Sequence, residues 1–117
     1  MTSGGVERKF QLTVPQSYDG KKPFPILFGL HALSISNTFV SGMTGFADMA
    51  PKYNFIGVAP LGQLDGTIPF WLAAPTRDNY DVRFIGELLD KLEREMCVDR
   101  ARVYSTGMSN GAQMSSL

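Results

Sequence analysis

Three short apolar runs, separated by stretches of helical periodicity, restrict the fold of this chain more than any other feature. Pro25-Ile26-Leu27-Phe28-Gly29-Leu30 and Phe55-Ile56-Gly57-Val58-Ala59 are continuously apolar, the pattern of strands covered on both faces. Ala101-Arg102-Val103-Tyr104-Ser105-Thr106 reads as a third, short buried strand. Between the first two, Phe39, Met43, Phe46 and Ala50 recur at helical spacing, with Asn37 as a candidate cap. Gly42 and Gly45 weaken the first turns of that helix, and Pro51 marks its expected end. Asp78 or Asn79 is expected to cap a second helix, with Val82, Ile85, Leu89, Leu92 and Met96 on one face. Glu87 with Lys91, and Asp90 with Arg94, pair at i,i+4 on the other face. Strand, helix, strand, helix, strand implies right-handed crossovers, and hence an α/β fold with a mostly parallel sheet flanked by helices.

The remaining stretches are simpler. Arg8 to Val14 alternates polar and apolar residues, as a strand with one wet face does. Pro15 to Gly20 is turn chemistry, Lys21 to Phe24 continues the loop, and Leu61 to Arg77 reads as a long irregular segment. The 117 residues suffice for one modest core and are read as a single partial domain, 1–117. Eleven basic residues balance eleven acidic ones, so nothing argues for a nucleic-acid or anionic-membrane partner. No apolar run is long enough for a bilayer span, and Met1 to Arg8 lacks the apolar centre of a secretory signal. The compartment stays open. The single cysteine, Cys97, supplies neither an internal disulfide nor a metal site. It reads either as a half-buried free thiol or as half of a disulfide completed elsewhere.

Function is expected at the carboxyl ends of the parallel strands, where His31, Pro60 and Ser109 all fall. Gly107-Met108-Ser109-Asn110-Gly111 follows the third run and opens a helix-compatible stretch at Asn110. As a bare pattern G-x-S-x-G is weak. Between a strand and a helix, it is the context in which a serine hydroxyl stands exposed above a sheet as a nucleophile. Acyl transfer also needs donors for the developing oxyanion. The backbone N–H of Asn110 is one candidate, and that of Leu33, in the loop after the first buried strand, is the other. His31, the only histidine, has two readings. It is a base for Ser109, or a loop residue that braces the oxyanion turn; this fold orders its base after its nucleophile, which favours the second. Phe70 and Trp71 either line an acyl or aromatic pocket, together with His31, or pack their loop. Asp78 and Asp81 read as cap and first-turn charges.

These motifs, with Arg8 to Pro15, Tyr18-Asp19-Gly20, Pro25 to His31, Tyr53 to Pro60, Asp81 to Ile85, Cys97-Val98-Asp99 and Arg102 to Ala112, resemble a known group. They are similar to the polyhydroxybutyrate depolymerases and the feruloyl and acetylxylan esterases of the α/β-hydrolase superfamily. The resemblance runs over nearly the whole chain. It implies a carboxylic-ester hydrolase with an acyl-serine intermediate, no metal or cofactor, and a small-molecule or polymeric ester as substrate. It assigns the nucleophile to Ser109 and the oxyanion donors to Asn110 and Leu33, and it pairs Cys97 with a cysteine shortly after the elbow helix. Two departures stand out. The group commonly has His-Gly where this chain has His31-Ala32, and its triad acid and histidine come from later strands. The chain is therefore read as an N-terminal piece, inactive alone, of a parent that is a candidate for secretion. The runner-up readings are a non-catalytic binding module, or one self-associating through an exposed sheet edge, and a small hydrolase using His31 as its base.

Overall fold

The computed structural model of the chain describes residues 1–34, 36 and 45–117. In chain order its strands are β1 (Thr2–Ser3), β2 (Val6–Glu7), β3 (Phe10–Thr13), β4 (Phe24–Leu30), β5 (Ile56–Pro60), β6 (Gln63–Asp65), β7 (Ile68–Phe70) and β8 (Val98–Gly107). The helices among the described residues are α1 (Phe46–Tyr53), α2 (Tyr80–Glu95) and α3 (Asn110–Ser115). Four strands make the central sheet in the order β3-β5-β4-β8. β4 runs parallel to both β5 and β8, and β3 closes one edge antiparallel to β5. This is the α/β, mostly parallel arrangement that the apolar runs imply.

One face of the sheet carries Ile26, Phe28 and Leu30 from β4 beside Ile56 and Val58 from β5, a consequence of the parallel register Ile26↔Ile56 and Phe28↔Val58. They join Phe84, Leu88 and Leu92 of α2, Met114 of α3 and Trp71 in one buried cluster. Each such side chain withdrawn from water contributes roughly 1.5–3 kcal/mol. The other face is covered by α1 at very close range. A Cβ at Gly57 would stand 2.6 Å from the Phe46 ring, so the glycine in the middle of β5 is what lets that ring lie on the sheet.

Several elements differ from the sequence reading. Asn37, Phe39, Gly42 and Met43 of the expected first helix lie outside the described residues. Within them, α1 starts at Phe46 after Gly45 and runs past Pro51 to Tyr53. A proline in the last turn removes only one of the final helical bonds. The actual stop is Asn54, at φ 55, after which Phe55 N–H donates to Ala50 O. The buried face of α2 is Asp81, Phe84, Leu88 and Leu92, one position round from the expected stripe. Val82 is 43% exposed instead. The irregular segment contains the β6–β7 hairpin, turned at Gly66-Thr67, and the N-terminus contains the β1–β2 hairpin, turned at Gly4-Gly5. Gly4, Gly5 and Gly66 all have positive φ, which these tight hairpin turns require. β8 is not the buried strand its sequence suggests. It pairs with β4 alone among the described strands, and Tyr104 is 56% exposed.

Candidate active site

The parallel register brings two loops out side by side. Leu30 of β4 lies opposite Gly107 of β8, so His31-Ala32-Leu33 and Met108-Ser109-Asn110 leave the sheet as neighbours. Residues 101–106 are extended, and the chain turns within Met108 and Ser109 into α3. Ser109 takes φ 55 and ψ −114, a sparsely populated conformation for a residue with a Cβ. It is exposed, and its hydroxyl makes no capping bond to α3. The two glycines of the motif explain how the bend fits. A Cβ on Gly107 would overlap the backbone of Gly111, and one on Gly111 would overlap the carbonyl oxygens of Leu30 and His31. Any other residue at either position pushes the turn off the sheet.

Leu33 is 54% exposed at the tip of the neighbouring loop, and Ser34 beside it has φ 62. Neither the Leu33 N–H nor the Asn110 N–H donates to a described residue, whereas Ser34 N–H donates to Pro69 O at 2.9 Å. Ala32, where a glycine was expected, is buried and keeps negative φ; the left-handed turn falls on Ser34.

His31 does not line an open pocket. It is fully buried, and both ring nitrogens are occupied. Gly62 N–H donates to Nε2 at 2.9 Å, which requires Nε2 to be unprotonated, so the ring proton sits on Nδ1 and is donated to Ala32 O at 2.9 Å. Burial pushes its pKa below the ordinary histidine value, against weaker upward pulls from the Ala32 carbonyl and from Asp81. A neutral imidazole with both nitrogens engaged holds the loop and has no lone pair left for Ser109. The ring stacks on Trp71, 4.7 Å between centroids, and the indole N–H of Trp71 donates to His31 O at 3.0 Å. Trp71 is only 3% exposed, so packing is its main role; half-buried Phe70 is the more open of the two aromatics. Both border a cleft of about 370 Å³ with Leu33, Leu64, Ile68 and Asn110. A second, apolar cleft of about 320 Å³ lies between α2, α3 and β8, and none of Leu33, Ser109 and Asn110 lines it.

Three residues that support this site were not singled out as such in the sequence. Arg8 and Asp81, both buried, form an ion pair at 2.5 Å, and Leu72 N–H donates to the other oxygen of Asp81 at 2.7 Å. This pair ties β2, the start of α2 and the segment after Trp71 together. Asp81 is thus in the first turn as expected but interred, with Asn79 as the cap, accepting from Asp81 N–H and Val82 N–H. Nothing local marks Arg8 as buried. Gly62 carried a signal, a glycine just past a strand end. A Cβ there would overlap the Phe70 carbonyl. Cys97 is a half-buried free thiol. Among the described residues, no cluster of three His, Cys, Asp or Glu side chains is arranged to hold a metal, and no helix is long and apolar enough to cross a membrane.

Comparison with known proteins gives a consistent picture. Over 114 residues, 92% of this chain, the sequence is 31% identical to feruloyl esterase C of Emericella nidulans and 29% identical to a probable feruloyl esterase C of Aspergillus niger. In both cases the match covers 39% of the relative, so the chain spans about two fifths of the length of the proteins it matches. The fold superposes on an acetyl xylan esterase from Aspergillus awamori with a TM-score of 0.73 and 20% identity, over 90% of this chain and 39% of that one. No family model matches the sequence.

Proposed function

We propose, from the chain's membership of the feruloyl and acetylxylan esterase group of the α/β-hydrolase superfamily, that it carries the nucleophile half of a serine esterase site. The group is one of ester-hydrolysing enzymes. What supports a serine mechanism here is a single observation: an exposed Ser109 at φ 55 on a strand-to-helix turn that fits only because Gly107 and Gly111 lack side chains. In this reading Ser109 Oγ attacks the ester carbonyl carbon. The carbonyl oxygen becomes an anion in front of the N–H groups of Leu33 and Asn110, and it collapses to expel the alcohol, which carries away the serine's proton. Water then cleaves the acyl-serine and releases the carboxylic acid. The acyl group is of the aromatic or acetyl kind for which the relatives are named, and polyhydroxybutyrate-type polyesters are a further candidate from the sequence resemblance. The cleft edged by Leu64, Ile68 and Phe70 is an apolar surface suited to an aromatic acyl group.

The proton transfers need an imidazole, and the sequence has one histidine, whose ring is occupied. Our reading is therefore that residues 1–117 form one partial α/β-hydrolase domain whose base and acid come from outside them. The chain alone is expected to turn over p-nitrophenyl acetate several powers of ten more slowly than a complete triad, the residue left by binding and the oxyanion donors. Normal esterase turnover by the 117-residue chain, lost on Ser109→Ala, would refute that reading. If His31→Ala abolished the activity as well, His31 would be the base. A second reading, a self-associating module, is favoured by one observation, the unshared edge of β8.

A further inference from the structure

Two loops that carry the candidate oxyanion donors come from distant parts of the sequence, and a third element touches both. Pro69 O, in β7, accepts from Ser34 N–H at 2.9 Å, next to Leu33. Two residues on, Trp71 N–H donates to Asn110 Oδ1 at 2.8 Å, and Asn110 Nδ2 donates back to Trp71 O at 3.2 Å. A carboxamide that answers one backbone unit with both its donor and its acceptor fixes position and orientation together. The indole of Trp71 is pinned in turn to His31 O, and the His31 ring is pinned to Gly62 N–H. The hairpin end cannot slide. Its Phe70 carbonyl lies against Gly62 where a Cβ would overlap, and Trp71 is buried.

From these contacts we infer that the end of the β6–β7 hairpin is the spacer between the two oxyanion donors, and that the side chain of Asn110 is the positioning residue that locks the serine turn to it. The inference rests on the proposed esterase reading for the meaning of the donors, but the mechanical coupling stands without it. Asn110 divides its groups accordingly. The carboxamide is committed to the hairpin, while the backbone N–H makes no bond to a described residue.

The test uses the 117-residue chain in two measurements. In the first, backbone amide resonances are compared between the natural chain and Asn110→Ala. A spacer predicts that Leu33 and Ser34, more than seventy positions away in sequence, shift along with Trp71. Shifts confined to residues 107–114 and Trp71 would overturn the coupling. In the second, with imidazole supplied as the external base, the rate of Ser109 phosphonylation by a fluorophosphonate is measured with saturation kinetics. Asn110→Ala is expected to lower the limiting rate roughly ten- to a hundredfold with little change in probe affinity, the effect of donors displaced and not removed. Asn110→Asp keeps the acceptor for Trp71 N–H, loses the donor and adds a negative charge. Its limiting rate should also fall, and its resonance shifts at Leu33 and Ser34 decide the question if the alanine variant does not fold. An unchanged limiting rate in a folded variant would overturn the spacer alone. Absence of Ser109 labelling in the natural chain would instead overturn the esterase reading, leaving the resonance experiment to judge the spacer.

Discussion

Gly111 has the least freedom of any residue at this site, because its Cα faces two carbonyl oxygens of the β4 end. Relief of a Cβ there requires moving α3 away from Leu30 and His31, and no flexible side chain is available to yield. Gly111→Ala is therefore expected to destabilise the chain by about 3 kcal/mol, at the upper end of ordinary overpacking costs. The midpoint of a urea titration checks this, and an unchanged midpoint would mean that the turn has slack. His31 makes a second prediction, in pH. Its folded-state pKa lies below the ordinary value because burial penalises the charged ring. The unfolded chain takes up a proton near pH 6.5 and the folded chain does not. The stabilisation is therefore complete above that pH and declines as pH falls toward the lowered folded value. The melting temperature should drop on going from pH 7 to pH 5.5, and His31→Gln should lose most of that slope. An equal slope in both chains would show that His31 is not held neutral. The serine motif, the two glycines and the bracing reading of His31 were open to inspection in the sequence, since each rests on a local pattern. The Arg8–Asp81 pair was not, because two residues 73 positions apart carry no shared local signal.

Among the elements, β4 and β5 follow directly from their unbroken apolar runs, which only a doubly covered strand tolerates. The β6–β7 hairpin was hidden by its brevity, although Gly66, at positive φ in the first position of its two-residue turn, is a residue that such hairpins use. The α2 stripe was misaligned by one position because Phe84 and Leu88 also recur at helical spacing, and periodicity alone does not choose between overlapping stripes. Ile85 and Leu89 pack at the margin of the core and, with exposed Val82, border the apolar cleft beside β8. β8 was misjudged for a different reason. Its residues suit a sheet, but burial depends on what lies on its far side. Its second half, Val103 to Gly107, has no charged residue to discourage pairing. Sedimentation velocity should accordingly show concentration-dependent association of the chain, and Tyr104→Lys should weaken it. A monomer at all concentrations would remove the self-association reading.

Across the whole molecule, the sheet and the helices on its faces agree with the fold of an acetyl xylan esterase, and the sequence resembles the feruloyl esterases. The candidate site gathers at the ends of β4, β7 and β8, where His31 and Trp71 are buried and Ser109 and Leu33 are exposed. The central claim of the proposed function is that these loops present Ser109 as a nucleophile beside two N–H donors, those of Leu33 and Asn110, which have no partner among the described residues. Reaction with a fluorophosphonate in the presence of imidazole as an external base, followed by peptide mapping of the modified serine, tests it most directly. The account predicts that Ser109 is modified well ahead of every other serine in the folded chain, and that the preference vanishes in urea. Label spread evenly over the serines, or Ser109 reacting no faster folded than unfolded, would contradict it.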